Sequence, residues 1–590
     1  MGIPEKLLKP YNSSETENRI YKLWEESGFF NPDVCVEKGV TASNAEPFSI
    51  VLPPPNVTGE LHMGHAAMLA IEDIIIRFER MRGKRTLWVP GTDHAAIATQ
   101  SKVEKLIEKE GKKRSDLSRE EFLKRVDKFA KEKHDTIINQ VKKMGSSLDW
   151  SREAFTLDEK RNLAVRTAFK QMYDLALIYR GNKVVNWDPK GQTVISDDEI
   201  IYEERKAKFY TFKYSKDFPI SISTTRPETK VGDTAVAVNP NDNRFKKYIG
   251  QEFDLVFADV PIHIKIIADE TVDPEFGTGA LGVTPAHSQT DWEIAQRHNL
   301  PLVQVINEYA RMTIPNPNIK GKKTTEAREI IVEWLHKEKL LEKEEEITQN
   351  ISTAERTGGI IEPLPKLQWF IDVNKKFISK DSKIDGIKSG QEVSLKELML
   401  APVKNGQIKI LPDHFKKTYF HWIENLRDWC ISRQIWYGHR IPVYYCKQGI
   451  SNSQPEKSRG GPRVTFTGFP ISNEKCKMPI ISIEEIKKCP NCGGEIEQDE
   501  DTLDTWFSSG LWSFSTLGWP QYTPTNVKAT RGKTGQENDL ANFHPTNVLE
   551  TGYDIIFFWV ARMILMSTCL LGEIPFKNVY LHGLVRDNKG

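Results

Sequence analysis

The stretch from Phe48 to Pro90 constrains this chain more than any other. Phe48-Ser-Ile-Val-Leu-Pro53 reads as a buried strand, and a turn rich in Pro, Asn and Gly follows it. A helical pattern then runs from about Leu61 to Met81. Arg85 to Pro90 reads as a second strand, with Gly91-Thr-Asp-His94 as the loop at its carboxyl end. Strand, helix, strand is the opening of an α/β fold built on a doubly wound parallel sheet.

The remainder of the chain is read around that nucleus. With 590 residues, 28% charged and 39% hydrophobic, it has the composition of a soluble globular protein of three to five domains. A net charge of +1 excludes a global basic field but leaves room for a local basic groove. Met1 to Tyr21 is polar and lacks the apolar core of a signal segment. The most apolar run, Ile555 to Leu571, carries Arg562 in its middle, so it is expected to be a buried helix, with no membrane involved. Seven cysteines in so long a chain do not form a disulfide framework, which points to a reducing cytoplasm.

Lys102 to Lys133 reads as solvated helices whose lysines are also able to touch RNA. After Glu204 the texture turns to short β-rich runs: Lys208–Tyr214, Pro219–Thr224, Thr234–Asn239 and Phe253–Ile267. Helical spacing returns near Thr325–Leu340, followed by the charged Glu342–Glu346, and α/β texture resumes from Pro363. The expected organisation is an N-terminal extension (1–45), the first half of a catalytic domain (46–204), an inserted β-rich module (205–350), and the second half (351–590). A small knuckle-like insertion is expected at about 443–500.

His62-Met-Gly-His65 falls at the start of the first long helix, where unpaired N–H groups and a partial positive charge suit phosphate. Histidines three apart face the same way, and Gly64 lets a flat ring approach the backbone. In full, Pro53-Pro-Pro-Asn-Val-Thr-Gly-Glu-Leu-His-Met-Gly-His65 resembles the first signature of the class I aminoacyl-tRNA synthetases, in the form typical of the valine branch. The isoleucine branch usually has Pro-Pro-Tyr-Ala-Asn-Gly there. The resemblance extends through Gly91–Gln100, Asp428–Pro442, Asp504–Trp512 and Glu550–Trp559.

That resemblance implies a class I Rossmann-type catalytic domain split by an inserted β-rich editing domain, with ATP, Mg2+, valine and tRNA(Val) as reactants and partners. It implies a valine pocket of Pro53, Asn56, Asp93, Trp506, Ile555 and Trp559, with Asp93 holding the ammonium between apolar walls. His62, Gly64 and His65 would meet the ATP phosphates, the two histidines acting in catalysis. Glu550, Gly552, Asp554 and His582 would hold the adenosine. Plain core roles for Trp506 and Trp559, and a helix-capping role for Asp554, remain open.

The inserted module resembles the editing domain of this family through Thr224-Thr-Arg-Pro-Glu-Thr229 and Gly277–Asp291. Its chemistry answers a physical need, because an apolar pocket rejects threonine in favour of valine by only about 100-fold. The resemblance assigns Thr225, Arg226, Thr284, His287 and Asp291 to that second site. Arg226 would hold the terminal nucleotide, and Asp291 the substrate and a water. The family often has Lys where Gly282 stands and Asp where Ser288 stands, which sets a feeble editing fold beside an active one.

Cys489-Pro-Asn-Cys492 reads as half of a zinc knuckle. Relatives complete it near Cys446-Lys-Gln-Gly449, where this chain has one cysteine. Two readings stand: a Zn2+ site of Cys446, Cys476, Cys489 and Cys492, or a metal-free knuckle. No metal is expected near Asn186–Gly191. The family's second signature, Lys-Met-Ser-Lys-Ser, does not occur in the chain. The expectation is therefore a truncated gene product, a fragment of a split gene or a partial sequence, monomeric, with weak or no charging activity alone. An editing-only or tRNA-binding fragment and an isoleucyl-type synthetase are the rivals.

Overall fold

The computed structural model describes residues 10–447, 476, 478–522 and 532–587. Half of the small insertion expected at 443–500, including Gln448 and Gly449, lies outside those residues, as do 1–9, 523–531 and 588–590.

The strand Pro47–Val51 is buried along all but its first residue and pairs in parallel with Arg85–Val89, from Pro47 beside Arg85 to Val51 beside Val89. On its other edge Ile50 lies beside Val548 of the strand Thr546–Gly552. That strand pairs in parallel with Phe576–His582, and Lys409–Leu411 closes the row. Five parallel strands need apolar cover on both faces. One cover is the helix Met63–Met81, which bridges the first two strands.

The run expected as a buried helix supplies another. It forms a π-helical turn, Ile556–Val560, followed by the helix Ala561–Leu570. Ile564 and Leu565 are fully buried there, each contributing about 1.5–3 kcal/mol of burial. Arg562 lies with its guanidinium 3.7 Å from the Trp429 ring centre. Tyr553–Leu570 is long and apolar enough to cross a membrane, yet 67% of it is packed inside the protein.

The charged 102–133 region folds as the helices Ala96–Lys109 and Arg119–Lys143. Their apolar residues, among them Val103, Phe122 and Val126, face one core cluster. The N-terminal segment is tied in by a buried ion network: Asp33 bridges Arg85 and Arg152, each at 2.6 Å, and Arg152 also reaches Asp149 and Asp539.

A long antiparallel ribbon, Ile200–Phe212 against Leu341–Ala354, leads into and out of the inserted module. The charged run Glu342–Glu346 forms part of this ribbon, where Glu344 meets Lys208 across the pair at 2.5 Å. Beyond it lies a four-stranded sheet in the order Glu252–Phe257, Val260–Ala268, Ala235–Val238, Ala280–Val283. Period-two alternation covers both of its faces: Val236 and Val238 enter one core cluster, Ala235 and Ala237 another. The helix Gln289–His298 follows the last strand, and Thr324–Lys337 leads back to the ribbon.

Candidate active site, hydrolytic site and cysteine cluster

At the middle of the parallel sheet the carboxyl ends of Pro47–Val51 and Thr546–Gly552 lie side by side, and the chain winds away from them in opposite directions. Such a switch point leaves a crevice where ligands bind.

His62 caps the helix Met63–Met81. Its Nδ1 accepts from the Gly64 N–H at 3.1 Å, and its own backbone N–H donates to Nδ1 of His65 at 3.2 Å. Because both Nδ1 atoms accept, each neutral ring carries its proton on Nε2, and those N–H groups are the donors the cap leaves over. The rings lie 3.9 Å apart. Burial, aided by the neighbouring His62, pushes His65 down to about 4. A Cβ on Gly64 would come within 2.9 Å of His62 Cε1, so the glycine is what admits the ring.

Asn56 forms a parallel bridge with Asp93, and the Asp93 N–H donates to the Pro55 carbonyl at 2.9 Å. Asp93 is 4% exposed. One oxygen accepts from the Ala95 N–H at 2.7 Å and the other from the Ser509 hydroxyl at 2.8 Å. Burial pushes this carboxyl up to about 6 against the pull of those bonds. Trp559 is buried and its indole donates to the Ser509 carbonyl at 3.0 Å, so this tryptophan braces the residue that holds Asp93. Pro53, Trp506 and Ile555 are partly buried and Asn56 is exposed.

Across the crevice Glu550 is fully buried, and neither carboxyl oxygen has a hydrogen-bond partner. Burial pushes it up to about 8. The His582 imidazole stands 3.7 Å from Oε1. Leaving such a group unmet costs about 1–3 kcal/mol, and a ligand that bonds to it recovers that cost. A Cβ at Gly552 would meet Asp554 Oδ1, so the backbone there stays bare beside an exposed carboxylate.

In the inserted module Arg226 bridges Glu228 at 3.2 Å and Glu362 at 2.6 Å. Thr225 beside it is partly exposed. His287 donates from Nδ1 to the Pro363 carbonyl at 3.2 Å, while Nε2 accepts from the Val305 N–H at 2.9 Å. Burial holds this ring down to about 3, and both of its nitrogens are engaged. Asp291 is 5% exposed. It accepts from the Thr284 N–H at 2.7 Å and the Ser288 hydroxyl at 3.0 Å, and Ser288 caps the helix Gln289–His298. Burial raises its proton affinity, and Lys230 opposes that rise.

All four cysteines expected as ligands come together. Their Sγ atoms lie within 4.8 Å of one another, with Cys446 and Cys492 at 3.5 Å and Cys476 and Cys489 at 3.8 Å. Tetrahedral Zn–S bonds of about 2.3 Å set sulfurs about 3.8 Å apart. The Gly494 N–H also points at Cys492 Sγ, at 3.4 Å.

Sequence reasoning passed over Ser509, Lys230 and Glu72. Glu72 is fully buried, accepts from the Trp88 indole at 2.7 Å, and faces Glu550 electrostatically. Its signal was helical spacing: it falls three residues after Leu69 and four before Ile76, on the buried face of its helix.

Valine–tRNA ligases of Clostridium tetani (strain Massachusetts / E88) and Clostridium acetobutylicum are 45% and 44% identical over 99% of this chain and 59% of their own length. That of Thermotoga maritima is 43% identical over 99% of the chain and 60% of its own length. The chain thus spans about 60% of the length of these relatives. A leucyl enzyme solved with tRNA, from Agrobacterium radiobacter K84, aligns over 98% of this chain and 69% of that chain at 17% identity and a TM-score of 0.44. The model for tRNA synthetases of class I (I, L, M and V) matches residues 19–590, and the chain belongs to that family.

Proposed function

We propose that this chain carries the amino-acid-activating and editing parts of a valine–tRNA ligase. The observation that carries the reading is the crevice between Pro47–Val51 and Thr546–Gly552. There the buried Asp93 carboxylate is held by the Ala95 N–H and the Ser509 hydroxyl, while neither oxygen of the buried Glu550 carboxyl has a hydrogen-bond partner. Asp93 suits the valine ammonium, and Pro53, Trp506 and Ile555 suit its small branched side chain. Glu550 and the bare Gly552 suit the ribose and base of ATP. His62 and His65 offer Nε2–H donors to the phosphates.

In that arrangement a valine carboxylate oxygen attacks the α-phosphorus of ATP, a P–O bond breaks, and pyrophosphate leaves. The 2′-hydroxyl of the tRNA's terminal adenosine then attacks the acyl carbon and releases AMP. Mg2+, bound with ATP, would offset charge on the phosphates. The protein's own part is positioning and charge stabilisation, with no covalent enzyme intermediate. The inserted module, by the same reading, hydrolyses threonine esters of tRNA(Val), and the cysteine cluster holds one structural Zn2+.

The test is calorimetry with a non-hydrolysable valyl-adenylate analogue. Binding at least tenfold tighter than the isoleucyl analogue is expected, and a preference for isoleucine overturns the valine reading. Elemental analysis should find one zinc per chain, lost in Cys476→Ser; a zinc-free folded protein removes that part.

A further inference from the structure

Lys230 is almost wholly buried, at 5% exposure. It sits in the short 3-10 segment Pro227–Gly232 and reaches into the inserted module. Its ammonium donates to the Gly282 carbonyl at 2.7 Å and the Thr284 hydroxyl at 2.8 Å, and it lies 3.2 Å from Asp233 Oδ1. Asp233 is itself buried and also accepts from the hydroxyls of Tyr214 and Thr284. A side chain at 282 does not fit this arrangement: a Cβ on Gly282 would come within 2.5 Å of Asp233 Oδ2 and 2.6 Å of the Tyr214 hydroxyl. The space in which a lysine at 282 would begin is filled by the Tyr214–Asp233 pair, while an ammonium already arrives from residue 230.

We propose that Lys230 is a positioning residue of the hydrolytic site, supplying its buried cation from the Pro227–Gly232 segment. The proposal rests on the hydrolytic reading of this module. Lys230 fixes the Thr284 hydroxyl, and the Thr284 backbone N–H in turn holds Asp291. It also sets the charge balance. Four buried carboxylates, Asp233, Asp291, Glu228 and Glu362, face three cations, Lys230, Arg226 and Arg328. His287 stays neutral between the sets. With all four ionised against the pull of burial, one negative charge is left over, which matches the single ammonium of an aminoacyl ester. Without Lys230 two are left over, and a proton settles on the Asp233–Asp291 pair in place of the substrate.

The experiment compares the full chain with its Lys230→Met variant, which keeps side-chain length and removes the charge. Deacylation of separately prepared threonyl-tRNA(Val) is followed from pH 5 to 8.5. The acid limb of the variant should move up by about one pH unit, with about a tenfold loss of rate at pH 6. An unchanged pH profile and rate in a folded variant overturns the proposal, whatever happens to its Tm. If the parent chain deacylates nothing, the hydrolytic reading itself fails. A double-mutant cycle of Lys230→Met with Asp291→Asn, read as urea midpoints, then decides the coupling without RNA: non-additive shifts uphold it and additive shifts overturn it.

Discussion

The parallel-sheet crevice and the inserted module bury acidic groups equally deeply but satisfy them very differently. In the crevice neither Glu550 oxygen has a hydrogen-bond partner, and Asp93 is held by the Ala95 N–H and the Ser509 hydroxyl. In the module Asp233 is met by Tyr214, Thr284 and Lys230, and Asp291 by Thr284 and Ser288. On the proposed reading, the first is a site with hydrogen bonds still owed, which a ligand would complete. The second is already a closed network, whose ligand would be recognised by the charge left over. Orphaned buried polar groups therefore locate one kind of site and miss the other.

The contrast is tested most severely at Asp93. Removing one side of a buried charge contact costs about 2–5 kcal/mol, so Asp93→Ala should weaken the valyl-adenylate analogue by about 100-fold or more in calorimetry. With its carboxyl pushed up to about 6 by burial, only the ionised form holds an ammonium. Affinity of the unmodified chain should then fall toward tenfold per pH unit below that value. A flat titration between pH 5 and 8 breaks the assignment.

Glu550→Gln comes next, with about a tenfold loss for the analogue and a gain of about 1–3 kcal/mol in stability at pH 8. The sign follows from its proton affinity. The folded value of about 8 lies above that of the unfolded chain, so the native state holds the extra proton. Stability then falls as pH rises through the window from about 4 to 8. Glutamine has no proton to lose and removes that slope. In the closed network the sign is opposite: Asp291→Ala abandons two donors and a helix start, and should lose about 1–2 kcal/mol in denaturant unfolding. Equal signs for the two variants would erase the distinction.

Much of this was legible along the chain. Phe48 to Pro90 announced strand, helix and strand because apolar period, proline and glycine all act locally. The π-turn and helix after Ile555 were legible as buried because Arg562 forbade a lipid setting. The four cysteines were legible as candidates, and only the fold put Cys476 beside Cys489. What resisted reading was every contact that joins distant segments. Ser509 reaches Asp93 across 416 positions and Lys230 reaches Gly282 across 52. No local pattern marks a lysine as buried, since composition places lysines in water unless a partner from elsewhere arrives. The charged run at Glu342–Glu346 carried no clear period either, because a ribbon with both faces largely exposed imposes none.

The smallest expected effect separates two roles of one residue. His62 is both the cap of the helix Met63–Met81 and, through Nε2–H, a proposed donor to phosphate. Asparagine is among the best N-caps, so His62→Asn keeps the helix start while removing the ring. Thermal unfolding should move by no more than about 0.5 kcal/mol, and ATP affinity should fall about tenfold, the scale of one hydrogen bond to a charged group. If stability falls and affinity holds, the histidine is only a cap, and the crevice loses its claim on the phosphates. If both hold, the signature histidine is idle in this chain, and His65, whose neutral ring already lies 3.9 Å away, carries the phosphate contact alone.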